Sequence, residues 1–116
     1  MKNKLFEVVD PLYNIISCST SRWNEHIADK HTELSERHEE IAAVITSPDS
    51  IYESAYTLDE PKYRYVAASK NDGSGQGYIR AVVQVDRDSK TGELVTAYTA
   101  TTERGENIDE SKKLYP

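Results

Sequence analysis

The stretch Arg22-Trp23-Asn24-Glu25-His26-Ile27-Ala28-Asp29-Lys30-His31 decides how the chain is read. It holds the only tryptophan and two of the three histidines. Trp23, His26, Ile27 and Lys30 fall at i, i+3, i+4 and i+7, one stripe of a helix. The stem of Lys30 can lie along such a face with its charge at the edge. Ser19, Thr20 and Ser21 supply candidate N-caps, so a helix is predicted from about Arg22 to His31. His26 and His31 are five apart, and on an unbroken helix they would point about 140° from each other. Either one of them is structural, or the helix ends before His31 and the turn swings that side chain back. Thr32-Glu33-Leu34-Ser35 offers fresh caps and favours the break.

On the N-terminal side, residues 4–9 and 12–18 are short, apolar and β-branched, with the turn signal Asp10-Pro11 between them. They predict a small hairpin. On the C-terminal side, residues 32–47 predict a second helix with Leu34, Ile41, Val44 and Ile45 on one face and Ser47-Pro48-Asp49 as its stop. Acidic residues crowd its first half, where the helix dipole favours them. Strands are predicted at 50–56, 62–69, 78–86 and 93–102. In the third of these, Ile79, Ala81, Val83 and Val85 face one way and Tyr78, Arg80, Gln84 and Asp86 the other. One helical turn is predicted near Asp109–Lys113. The fold class expected from this order is α+β. An N-terminal hairpin and two helices pack on one face of a three- to four-stranded antiparallel meander sheet. Residues 1–103 form the single domain and 104–116 a charged C-terminal tail.

The length, 116 residues, fits one domain, and 37% hydrophobic with 29% charged residues is polar but too patterned for disorder. No apolar run approaches the roughly 18–20 residues of a membrane span, and the N-terminus does not resemble a signal peptide, so a cytoplasmic protein with no membrane partner is expected. A single cysteine, Cys18, excludes an internal disulfide and reads as a small buried hydrophobe. The net charge of −6 disfavours a general, non-specific nucleic-acid binder.

No metal-ligand spacing survives a geometric check, because His31 and His38 lie roughly 10 Å apart along a helix axis. There is no P-loop, no dinucleotide fingerprint and no nucleophile elbow. No metal and no cofactor are expected. What remains suits metal-free acid–base work on a phosphodiester. Cleaving RNA this way needs a base for the ribose 2′-OH, an acid for the leaving 5′-oxygen and donors for the charged transition state. Histidine suits the first two tasks, with an ordinary pKa near 6.5. Arg64 and Arg80 are candidate donors, and Thr96 and Tyr98 can present hydroxyls from one face of the last strand. The plainer readings stand beside these: His26 and His31 held by backbone or water, His38 solvated among Glu36, Glu39 and Glu40, Trp23 in the core, the arginines as ordinary strand positions.

The combination Trp23-x-x-His26-Ile27-x-x-x-His31-x-Glu33-Leu34, then Ser47-Pro48-Asp49, Tyr63-x-Tyr65, a Val-rich strand and Val95-Thr96-Ala97-Tyr98, resembles the phage-associated branch of the barnase/EndoU/colicin/RelE-like nuclease superfamily. Val9-Asp10-Pro11-Leu12 and Ile16-Ser17 add to the likeness, which covers about residues 5–102. The resemblance implies helices on a four-stranded antiparallel sheet and a metal-independent ribonuclease of toxin or prophage type. It implies His26 and His31 as acid and base, Thr96 and Tyr98 as supporting hydroxyls, and Arg64 or Arg80 as phosphate contact, with Lys30 beside them. The expected partners are RNA, such as tRNA or mRNA, and an inhibitor or immunity protein. The rival expectation is a catalytically silent protein-interaction module of the same fold, favoured by the acidity at Glu33, Glu36, Glu39 and Glu40.

Overall fold

Val, Ile, Tyr and Ala runs alternating with polar residues build most of this molecule as sheet. The computed structural model describes residues 4–28, 36–54, 62–73, 77–101 and 108–116. Strand β1 (Lys4–Val9) turns back into β2 (Ile15–Ser19), antiparallel, as the hairpin reading expects. The turn is fixed by Asp10, which is 5% exposed. Its carboxylate accepts from the Leu12 N–H (2.9 Å), the Asn14 N–H (2.8 Å) and the Asn14 amide (3.1 Å). Those bonds hold Tyr13 at φ 67°, a left-handed conformation rare for a side-chain-bearing residue.

Ser19 then caps a single helical turn, α1 (Thr20–Arg22), accepting from the Arg22 N–H at 3.1 Å. The chain continues as a π-helical segment, Trp23–Ala28. Helix α2 (His38–Thr46) ends where Pro48 removes the next donor, with the Ser47 N–H closing on Ala43 O at 2.8 Å. The predicted helix break at Thr32–Ser35, like His31 and Lys30, lies outside the described residues. Four strands follow, each antiparallel to the next: β3 (Ser50–Ser54), β4 (Tyr63–Asn71), β5 (Tyr78–Asp86) and β6 (Thr91–Ala100).

Two pairings overturn the expected three- to four-stranded meander. First, β2 lies parallel to β6, with Ile15 opposite Thr91 and Ile16 opposite Gly92. This draws the hairpin into the main sheet. Second, residues 108–115 are not a tail with a helical turn. They form β7 (Ile108–Tyr115), antiparallel to β3. The result is a seven-stranded mixed sheet in the order β1-β2-β6-β5-β4-β3-β7. The charged residues of β7 suit an edge strand, whose outer side stays in water and whose charges discourage edge-to-edge pairing.

One face of the sheet carries the core. Ile79, Ala81, Val83 and Val85 of β5 pack with Val66 and Ala68 of β4, Leu94 and Ala97 of β6, and Ile16 and Cys18 of β2. Trp23 and Ile27 from the π-helical segment and Ile41, Val44 and Ile45 from α2 cover that same face. His38, expected as solvated surface, is half-buried and meets the Trp23 ring edge-on at 6.0 Å. Among the described residues no helix is long and apolar enough to cross a membrane.

Burial pushes the Cys18 thiol up to about 11 from 9.0, with Arg22 pulling slightly the other way. The neutral thiol is therefore the only form present at pH 8 in the folded protein. Cys18 is expected to resist a disulfide exchange reagent at pH 8 in buffer and to react fully in denaturant. The proton that folding retains also sets a sign. This contribution to stability is complete below pH 9 and is lost as pH rises through 11. Following the thiol by absorbance across a urea titration checks both statements.

Candidate functional site

The opposite face of the sheet is built by strict register. Ser50 pairs with Ser69, Ser69 with Arg80, and Arg80 with Tyr98, a polar row across four neighbouring strands. The next row runs Tyr52, Ala67, Val82 and Thr96. Beyond it Tyr65 stands opposite Gln84, and Gln84 opposite Glu93. A register shift on β6 lets Thr96 pair with Val82 while Leu94 pairs with Val83. That bulge, at Val95, keeps Leu94 in the core and turns both Thr96 and Tyr98 outward.

Arg80 is the centre of this face and is only 2% exposed. Its Nε donates to Ser69 Oγ at 3.1 Å and its Nη1 to the Tyr98 hydroxyl at 3.4 Å. The guanidinium also lies 5.4 Å from the Tyr98 ring centroid. The guanidinium charge thus sits directly against the Tyr98 hydroxyl and ring. Tyr52, Ala67 and Val82 make a small apolar cluster against which Tyr98 packs. Lys113 of β7 sits 5.7 Å over the Tyr52 ring. Ser50 Oγ, at the end of the polar row, is buried without a hydrogen-bond partner among the described residues.

The sequence-predicted residues divide between the two faces. Arg80, Thr96 and Tyr98 come together on the face away from the helices. Arg64 alternates to the core side, where its Nε reaches Glu53 at 3.5 Å, so it does not join them. His26 belongs to the π-helical segment, whose Trp23 and Ile27 are buried in the core face. His31 and Lys30 lie outside the described residues. Ser69 and Tyr52 were not singled out by sequence. Ser69 lies opposite Arg80 in register, a relation that only the pairing of β4 with β5 exposes.

No family model, curated protein or solved structure matches the chain.

Among the described residues no group of three or more His, Cys, Asp or Glu side chains is placed to hold a metal ion. The chemistry on offer at the Arg80 row is hydrogen-bond donation and positive charge behind hydroxyls, on a sheet surface lined by tyrosines.

Proposed function

We propose that the chain is a metal-independent ribonuclease-like domain that receives RNA on the face of its sheet away from the helices. The observation that supports this most is the register-fixed trio of Arg80, Tyr98 and Thr96. A buried cation behind the Tyr98 hydroxyl, with Thr96 on the same face, suits the extra negative charge of a pentacoordinate phosphorane, and half-buried Tyr65, Tyr78 and Tyr98 suit unpaired bases, which stack on aromatic rings. Because Arg80 is buried, its role is to polarise and position Tyr98 rather than to grip phosphate directly. In this proposal His31 supplies general acid–base catalysis and Lys30 adds charge at the edge, while His26, in the segment that covers the core face, has no part in it. Arg64, on the other side of the sheet, has no part in it. The domain acts in the cytoplasm as a toxin-type or prophage-encoded effector, with an inhibitor protein as its natural counterpart.

A second reading is favoured by the burial of Trp23 and Ile27, which anchors the His26 segment on the core side. It is a catalytically silent module that binds a protein partner. Glu36, Glu39 and Glu40, all exposed, then supply the contact. Purified protein mixed with tRNA or total RNA in excess EDTA separates the two. The ribonuclease proposal expects fragments ending in 2′,3′-cyclic phosphate, slowed about 100-fold by His31→Ala, the scale on which one general acid or base contributes. Intact RNA at high protein concentration sinks the catalytic proposal and leaves the interaction module.

A further inference from the structure

At one end of the sheet, on the core side, the β1–β2 loop and the β5–β6 turn face each other across a cleft of about 360 Å3. Its floor is apolar: Leu12, Val66, Val85 and Leu114. Its rim carries Arg64, Arg87 and Lys90. Val66 and Val85 belong to the helix-covered core face, so this cleft is separate from the Arg80 row.

The rim is held rigidly by backbone bonds. Lys90 sits at φ 57°, its N–H donating to Asp86 O at 3.1 Å and its carbonyl accepting from the Ile15 N–H at 2.9 Å. The Arg87 N–H donates to Lys62 O at 3.1 Å. A non-glycine residue locked at positive φ stores strain, and such strain gathers at binding sites. Among the described residues Asp86 is the one acid in the lining, and its carboxylate is engaged by its own turn. The Ser89 and Asp88 backbone N–H groups donate to it at 3.1 and 2.9 Å and hold its carboxyl below the usual range.

Arg64 shares its charge with Glu53. Arg87 and Lys90 make no side-chain hydrogen bond or ion pair among the described residues. A chain of net charge −6 has thus gathered three cations around an apolar floor. Like charges around one cleft repel, and an anion seated among them relieves that repulsion. The apolar floor asks for more than a bare ion. A volume of this size is at the small end of ligand pockets.

We propose that this cleft binds a small amphiphilic anion, a carboxylate or sulfonate head on a compact apolar body. The head lies between Arg87 and Lys90, and the body rests on Leu12, Val66, Val85 and Leu114. Neither the ribonuclease proposal nor its rival depends on this cleft.

The test is a fluorescence titration of the full chain with anilinonaphthalenesulfonate, which has such a head and body. The expected result is saturation at one equivalent and displacement by octanoate but not by octylamine. The double variant R87E/K90E is expected to weaken the dye at least tenfold with an unchanged melting temperature. A second variant, Tyr13→Ser, removes the most exposed large apolar side chain beside the cleft, 79% exposed, and is expected to leave the affinity unchanged. Absence of saturable binding overturns the proposal. So does binding that survives the charge reversal, or that is lost with Tyr13→Ser, because either places the dye on exposed apolar surface instead.

Discussion

Arg80→Ala is expected to destabilise the domain by roughly 3 kcal/mol, the combined scale of an unfilled cavity and a buried Ser69 hydroxyl that loses its donor. The side chain is 2% exposed, so its removal opens a large buried space beside Ser69. Ser69 Oγ loses the donor that sits 3.1 Å away, and the Tyr98 hydroxyl loses another at 3.4 Å. The ring of Tyr98 also loses the cation beside it. Exposed pairs make the contrast clear. Lys4–Glu7 and Arg37–Glu40 are solvent-facing, and breaking either is expected to cost under about 1 kcal/mol. Arg80→Lys should recover only part of the loss, because one ammonium cannot reproduce a planar fork that bonds at Nε and Nη1 together. Urea unfolding monitored by circular dichroism reads all three changes. An Arg80→Ala protein as stable as wild type would mean that the guanidinium is not the keystone of this face.

Gly92→Val is expected to cost about 3 kcal/mol or to prevent soluble expression, at the upper range for overpacking. A Cβ at this position would lie 2.4 Å from Gln84 O, 3.1 Å from Val85 Cα and 3.2 Å from Gln84 C. All three are backbone atoms of β5, so no side chain can swing away. Gly92 also pairs with Ile16 in the parallel β2–β6 ladder, so forcing β5 and β6 apart strains the junction of hairpin and sheet. Gly73 is the control. It sits at φ 91° with nothing among the described residues within 4 Å of its would-be Cβ. Gly73→Ala therefore meets only backbone strain, on the order of 1 kcal/mol. Thermal melts of the two variants should differ in that order.

The local parts of this fold were legible because their signals are local. Alternation in 78–86 separates Ile79, Ala81, Val83 and Val85 from Arg80 and Gln84, and the structure keeps that division. Ser19 reads as a cap and acts as one. The seven-stranded sheet was not legible, and each reason is specific. The parallel pairing of β2 with β6 joins Ile15 to Thr91 and Ser17 to Glu93, far apart in sequence, and no local pattern announces it. Ile108-Asp109-Glu110-Ser111-Lys112-Lys113-Leu114-Tyr115 looks like a solvated turn because its charges mask two anchors. Leu114 and Tyr115 pack on the core, and pairing with β3 supplies the rest. Arg64 and Arg80 looked equivalent, yet their even numbers fall on different strands with opposite phase. Register against β5 puts Arg64 beside Val85 and Arg80 beside Ser69. The candidate site inherits that lesson. Thr96 and Tyr98 share a face with Arg80 through the bulge at Val95, whereas Ser69 became visible only once strands were paired.

If RNA lies on the tyrosine-lined face around Arg80, the tyrosines there are where it cross-links. Ultraviolet cross-linking of the intact protein to a 4-thiouridine-containing single-stranded RNA, followed by mass spectrometry of the linked peptides, tests it most directly. Cross-links at Tyr65, Tyr78 and Tyr98 are the predicted result, lost on competition with unlabelled RNA. Cross-links confined to α2 or to the β1–β2 loop, or none above a non-binding control protein, would contradict it.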